Sequence, residues 1–508
     1  MTIRCIEEGN YIVDAQHSQS ALPGKNGSSC PAREGQLSRR DLLKLGAFGL
    51  AASTLGILEE GWLPNRIAHA APQTLPDIQY DIKGYLPPAR TIDGVLFQFG
   101  PVHTLFLTAQ LNRTPTKSDQ KVLADALNTI ESTYAFNPSG IFSFVSYGLP
   151  YFNRLPQNIV AANMPRLLSD KSRYALEEAV PGPTDVSPQN PSIVKETFNV
   201  PVVIESNDVL FTFRSDTLAN ITSVEAWLQG SNSLNGKPVP SPAFNNLFTF
   251  TSSRLMFLQL GTPAQIAKQH ALPYASQVND KSPMWMSFSD GQVAGSGPAA
   301  ITTFQGNASA VFTTTKSGDY FYDGSIQHLS HIILDMEQFY LNEPYYQRCQ
   351  YMFRSNPVPS LGYHDQYKNG GGPTFLANKF QGTGDAEKNA AGINTYKGKH
   401  RLGHITGLQR SSRAQDNTPI HIRMDGPGYD MMDVPFVKNE PKTHFAIFVP
   451  TADFFATMRI NQASLDLASQ YNVSVKNDGL ERFLTATRRQ NFLIPPRAHR
   501  AFPLLELS

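Results

Sequence analysis

Apolar residues recur along this chain in two rhythms. Between Lys117 and Tyr134, the residues Val122, Leu123, Ala126, Leu127 and Ile130 fall three or four apart, the repeat of one helix face, with Ser118 and Asp119 as a cap. On either side the pattern changes to aromatic and β-branched runs, so Val95–Phe99, His103–Ala109 and Gly140–Gly148 read as strands. The same strand–helix–strand phrase returns twice. Asp208–Arg214 leads into a helix over Thr217–Leu228 and a strand from Leu247, and His444–Val449 leads into a helix over Ala452–Gln470. Two more helices are predicted over Asp335–Gln347 and Gly479–Arg488. Strands joined by helices without strict βαβα alternation predict an α+β fold, with antiparallel sheets and helices packed on them. Between the units, Val180–Pro201, Gly230–Pro242 and Asp365–His400 have loop composition.

The first 70 residues follow a different logic. Ser38-Arg39-Arg40-Asp41-Leu42-Leu43-Lys44 precedes an apolar run from Leu45 to Leu58, and Ala68-His69-Ala70 supplies a small-residue cleavage site. A basic segment, a short apolar segment and an A-x-A site make a secretory signal, and the arginine pair selects the twin-arginine route. The apolar run is shorter than the roughly 20 residues that span a bilayer, so a membrane anchor is not expected. The mature chain would then begin at Ala71 and work in a bacterial periplasm or outside the cell. Twin-arginine export moves folded protein, which suits a cofactor inserted before transport.

Composition narrows the partners. The chain holds 43 Lys+Arg and 42 Asp+Glu, and removal of the leader leaves the net charge at +1, which argues against nucleic acid. Of the three cysteines, Cys5 and Cys30 belong to the leader. Cys349 alone can form neither an internal disulfide nor a thiolate cluster.

Three segments carry chemistry. Met284–Gln292 is an aromatic run that ends in Asp290-Gly291. Ile420-His421-Ile422-Arg423 precedes Asp425 and Pro427, with His404 upstream. His328, His331 and Asp335 stand at i, i+3 and i+7. On a helix that spacing gathers two imidazoles and a carboxylate on one face, a non-haem metal site, whereas on a strand it separates the two histidines.

The first two segments together resemble the dye-decolorising peroxidases. Ser287-Phe288-Ser289-Asp290-Gly291 is similar to that family's G-F-x-D-G distal loop at all but the first glycine. Ile420-His421-Ile422-Arg423 looks like its A-H-I-R proximal segment. The resemblance implies two ferredoxin-like domains of the dimeric α+β barrel type, at 71–283 and 284–508 behind a leader at 1–70. It implies haem b with His421 on the iron, Phe288 and Arg423 against the cofactor, and Asp290 as the proton shuttle. His404 is the rival ligand. Hydrogen peroxide and an organic reductant would be the partners, in a chain that could form homo-oligomers. The family's distal arginine is missing: between Asp425 and Thr443 the only cations are Lys438 and Lys442. Arg423, two residues along a strand from His421, shares the ligand's side of the haem and suits a propionate or Asp425. The alternatives are a haem-free binding or structural protein on the same scaffold, and the non-haem metal protein using His328, His331 and Asp335.

Overall fold

In a computed structural model of the chain, the described residues are 75–508 except 93–94, 289–301, 307–311, 353–393, 397–398, 402, 405–420, 471 and 475–478. Two α+β units of the same strand order follow one another. In the first, β1 (His103–Leu111), α1 (Lys117–Thr133), β2 (Phe142–Gly148), β3 (Val209–Ser215), α2 (Leu218–Leu228) and β4 (Phe248–Phe257) lie in the order β2-β3-β1-β4. The second uses β5 (Ser325–Leu334), β6 (Ile422–Arg423), β7 (Gly426–Asp430), β8 (Glu440–Val449), α3 (Asp453–Ala463) and β9 (Leu484–Ile494). There β6 and β7 both pair with β8, followed by β5 and β9. Each unit has the ferredoxin-like order 4-1-3-2, so the α+β expectation and its ferredoxin-like halves hold. β9 pairs with β2, which merges both halves into one ten-stranded sheet.

The sheet curls until its ends meet. β7 lies against β4 so closely that a Cβ on Gly426 would stand 3.0 Å from the Met256 side chain, and one on Gly428 would stand 3.2 Å from the Leu255 carbonyl. Only glycine lets two backbones approach in this way. Strand alternation then sorts side chains to two faces. Leu105, Leu107, Val145, Phe211, Ile326 and Ile447 meet helices α1, α2 and α3 on the outer face. Phe106, Phe144, Leu210, Met256, Leu329, Ala446, Phe448 and Phe492 fill the inside of the curl.

Local chemistry sets the element ends. Thr116, one residue before the helix, caps α1: its hydroxyl accepts from the Asp119 amide, and the Asp119 carboxylate accepts from the Thr116 amide. The cap therefore lies ahead of the Ser118-Asp119 pair, with Asp119 in its third position. Three expected helices differ. The segment Gly479–Arg488 makes one short turn at Glu481–Phe483 and from Leu484 is the start of β9, a central strand. Its alternating Thr485 and Thr487 and its pairing with β5 override local helix propensity. Asp335–Gln347 is interrupted at Pro344, which ends one turn at Asn342 and starts a helix at Tyr345. Ala452–Gln470 breaks at Ser464, whose φ is +47°. Among the described residues, no helix is long and apolar enough to cross a membrane.

Candidate functional site

His331 on β5 and His444 on β8 are direct cross-strand partners. Both point into the curl, in line with Leu329 on one strand and Ala446 on the other. Their rings stack with centroids 5.2 Å apart. Space for the second ring comes from Gly428 on β7, where a Cβ would stand 2.5 Å from His444 Nε2. At the end of β7, Asp430 Oδ1 lies 3.7 Å from His331 Nε2, and Asp430 Oδ2 lies 3.9 Å from His444 Nε2. Neither histidine has any exposed surface. The Asp430 side chain is 34 % exposed, which makes it the solvent-facing member of the group.

A ring of polar groups fixes His331. Asp433 sits in the turn after β7 with φ +58° and receives a fork of two hydrogen bonds from Arg488, each 2.8 Å. The Thr487 hydroxyl lies 2.9 Å from Asp433 Oδ2 and 3.0 Å from His331 Nδ1. A hydroxyl that donates to the carboxylate accepts from Nδ1–H, so Nδ1 carries a proton and the Nε2 edge of the ring faces Asp430. Burial works against ionisation of Asp433, yet hydrogen bonds from His331 and Arg488 hold its carboxyl well below the usual carboxylate range. Burial, reinforced by the neighbouring His331, pushes His444 down to about 3, so it is neutral. Burial also pushes Lys442 down to about 8, against the pull of Asp430.

Among the described residues, three nitrogens of this group have no hydrogen-bond partner: His331 Nε2, His444 Nδ1 and His444 Nε2. A buried polar atom left unmatched costs on the order of 1–3 kcal/mol. Among the described residues, His331, Asp430 and His444 are the one group of three such side chains with ligand atoms within 4.8 Å of one another.

The spacing of His328, His331 and Asp335 makes no single face. β5 is a strand, so His328 turns to the helix side while His331 turns inward. His328 stacks on Phe455 of α3 and satisfies both ring nitrogens, with Asn491 at 2.7 Å and Ser330 at 2.5 Å. Asp335 lies beyond the strand and accepts from the Gln338 amide. Of the three, only His331 enters the cluster. Sequence reasoning missed His444, hidden in a strand run, and Asp430, seven residues beyond Arg423 of the histidine motif. No local signal marks either, because their meeting depends on strand register.

The motif residues fall at two ends of the sheet. His421 is buried, 2 % exposed, just ahead of β6, where Ile422 pairs with Phe448 at the far end of β8. Ile422 and Met424 join the inner core, so the alternation puts Arg423 on the opposite face, 3.9 Å from Asp425. At the other end, the Trp285 indole donates to the Gly428 carbonyl, and Gly428 pairs with Lys442. From Phe448 to Lys442 is six residues of strand, roughly 20 Å. Phe288 is buried in the cluster of Trp285, Tyr345 and Leu480, and so belongs to that second end. So does His404: a Cβ on Gly479, next to Leu480, would stand 3.3 Å from the His404 Cα. Ser287 takes the left-handed conformation, φ +65°, that its missing glycine would favour. Hydrogen bonds to the Asn279 amide and the Tyr340 hydroxyl hold it there. Asp290 lies outside the described residues.

The model of a family described as "Family of unknown function (DUF7405)" matches residues 101–496. No curated protein matches the chain. Among solved structures, the chain is similar to a haem complex of a variant of DypB from Rhodococcus jostii, at 13 % identity and a TM-score of 0.45. That match covers 80 % of this chain and 97 % of that one. A dye-decolorizing peroxidase from Bacteroides thetaiotaomicron matches at 13 % identity and a TM-score of 0.44, over 80 % and 95 % of the two chains. An encapsulated DyP-type peroxidase from Mycobacterium smegmatis matches at 12 % and 0.44, over 80 % and 96 %.

Proposed function

The chain belongs to the DUF7405 family, whose description carries no activity, and from its residues we propose that it is an exported, haem-dependent, peroxidase-like oxidoreductase. It would reduce hydrogen peroxide and oxidise an organic reductant. The observation that carries the reading is the pair His421 and Arg423, two residues apart where β6 begins, one buried and the other half-buried. A neutral imidazole suits ferric iron, and a guanidinium on the same side suits a haem propionate. That donor set fits the proximal half of a haem site. When bound, haem supplies the redox-active iron at which peroxide is reduced.

Phe288 and Asp290 share one short segment, and its part on the distal side, with Phe288 against the cofactor and Asp290 as the proton shuttle, is proposed from the sequence. Phe288 packs at the other end of the sheet from His421, which gives weight to a rival iron ligand. A second reading follows from His404, which shares its end of the sheet with Phe288. In that reading His404 takes the iron, and His421 with Arg423 is structural.

Protein produced with haem supply should show a Soret band and should oxidise a dye or phenol only when peroxide is added. Protein that purifies without haem and takes up none on reconstitution contradicts the proposal.

A further inference from the structure

We propose that His331, His444 and Asp430 form a binding site for a divalent first-row transition-metal ion, separate from any haem held by His421. Two imidazoles and one carboxylate are a donor set that zinc, iron(II) and cobalt(II) all accept, and it leaves further positions open to solvent or substrate. The buried nitrogens point the same way. His331 Nε2 and both nitrogens of His444 are fully buried and have no hydrogen-bond partner among the described residues, and Asp430 faces the two Nε2 atoms from 3.7 and 3.9 Å. Metal–nitrogen bonds of about 2.0–2.1 Å bring neighbouring donor atoms to about 3.0–3.4 Å of each other. The two carboxylate–imidazole distances thus need a contraction of less than about 1 Å, and all three ligand atoms already lie within 4.8 Å of one another.

The surroundings are those of a metal site. Asp433 and Thr487 take the Nδ1 proton of His331, which orients the ring and leaves Nε2 as the donor. Gly428 keeps the space beside His444 Nε2 clear of a side chain. Lys442 is the competing cation, but its ammonium hydrogen-bonds the Asp430 backbone carbonyl at 3.2 Å and stays 4.0 Å from the carboxylate. Asp430, one-third exposed, is the point at which an ion would enter.

The test is a titration of chelator-treated, haem-free protein with zinc and with cobalt(II), whose visible bands report its ligands. One equivalent should bind saturably. Asp430→Asn and His444→Phe should each weaken binding by 100-fold or more. Asp433→Asn, which acts through His331, should weaken it by about 10–100-fold. His499→Ala, at a surface histidine paired with Glu506, should leave it unchanged. Asp430 is partly exposed and its substitution should leave the far-ultraviolet circular dichroism intact, so it remains informative even where His444→Phe fails to fold. Absence of saturable binding, as for a site that holds only water, overturns the assignment. Binding that survives Asp430→Asn in folded protein overturns it equally. Because haem is absent throughout, the result stands apart from the haem reading.

Discussion

Arg488 and Arg489 are neighbours on β9, yet each belongs to a different buried polar nest on opposite faces of one sheet. Arg489 turns to the helix side, where it and Arg459 meet Asp185, while Arg459 also meets Glu481, and Lys195 caps the Glu481 carbonyl at 2.5 Å. Three cations surround two carboxylates there, and His328 beside them uses both ring nitrogens. Such a nest does not suit a metal ion, because its arginines already take up the carboxylate oxygens. Arg488 turns inward and is taken up by Asp433, which in turn orients His331. On that face two imidazoles keep three nitrogens unmatched next to a carboxylate. The difference teaches that burial and charge alone do not identify a site. Among the described residues, the helix-side nest leaves unmatched only the N–H groups of Arg459, Arg489 and Asn491, whereas the inner nest leaves imidazole nitrogens that can ligate a metal.

The comparison can be broken first on the helix side. Glu481→Gln removes one of two carboxylates from among three buried cations, and should cost about 3–5 kcal/mol in urea denaturation at neutral pH. Burial opposes ionisation of Glu481, but Arg459 and Lys195 overcome it and push its carboxyl down to about 2. A group with a depressed folded pKa contributes stability above its unfolded value, and that contribution is lost as pH falls from about 4.5 toward about 2. The wild type should therefore lose stability across that window, and the variant should show a flatter acid limb. An equal slope in both proteins would mean that the nest is not held by this charge.

Swapping each imidazole for a phenyl ring sharpens the contrast with a smaller effect of opposite sign. His328→Phe strands Asn491 and Ser330 and should destabilise by about 1–3 kcal/mol. His444→Phe removes two unmatched nitrogens from an aromatic and aliphatic setting beside Phe106, and should leave metal-free protein unchanged or up to about 1 kcal/mol more stable. Equal losses for the two swaps would erase the distinction between holding and binding.

The fold was largely legible in the chain. The apolar rhythm of α1 and the aromatic runs of β1, β2 and β3 lie where the sequence places them, because local propensity and burial agree there. β9 was not legible. Residues 479–488 look helical in isolation, yet from Leu484 they form a strand through pairing with β5 and β2, a contact hundreds of residues distant in part. The same limit applies to the site. His331 stood out by its spacing, but its partners come from register: His444 lies directly across one ladder and Asp430 at the end of another. His421 and Phe288 carry motif-like flanks, and flanks say nothing about the roughly 20 Å of strand that separates their ends.

That separation makes the choice of iron ligand the point on which the functional account turns. The most direct measurement is the visible absorption spectrum of haem-reconstituted wild type, His421→Ala and His404→Ala, recorded side by side. The account predicts a Soret band in the wild type that is lost or displaced in His421→Ala and retained in His404→Ala. The reverse pattern would move the haem to the Phe288 end of the sheet, and a featureless spectrum in all three proteins would contradict a haem function altogether.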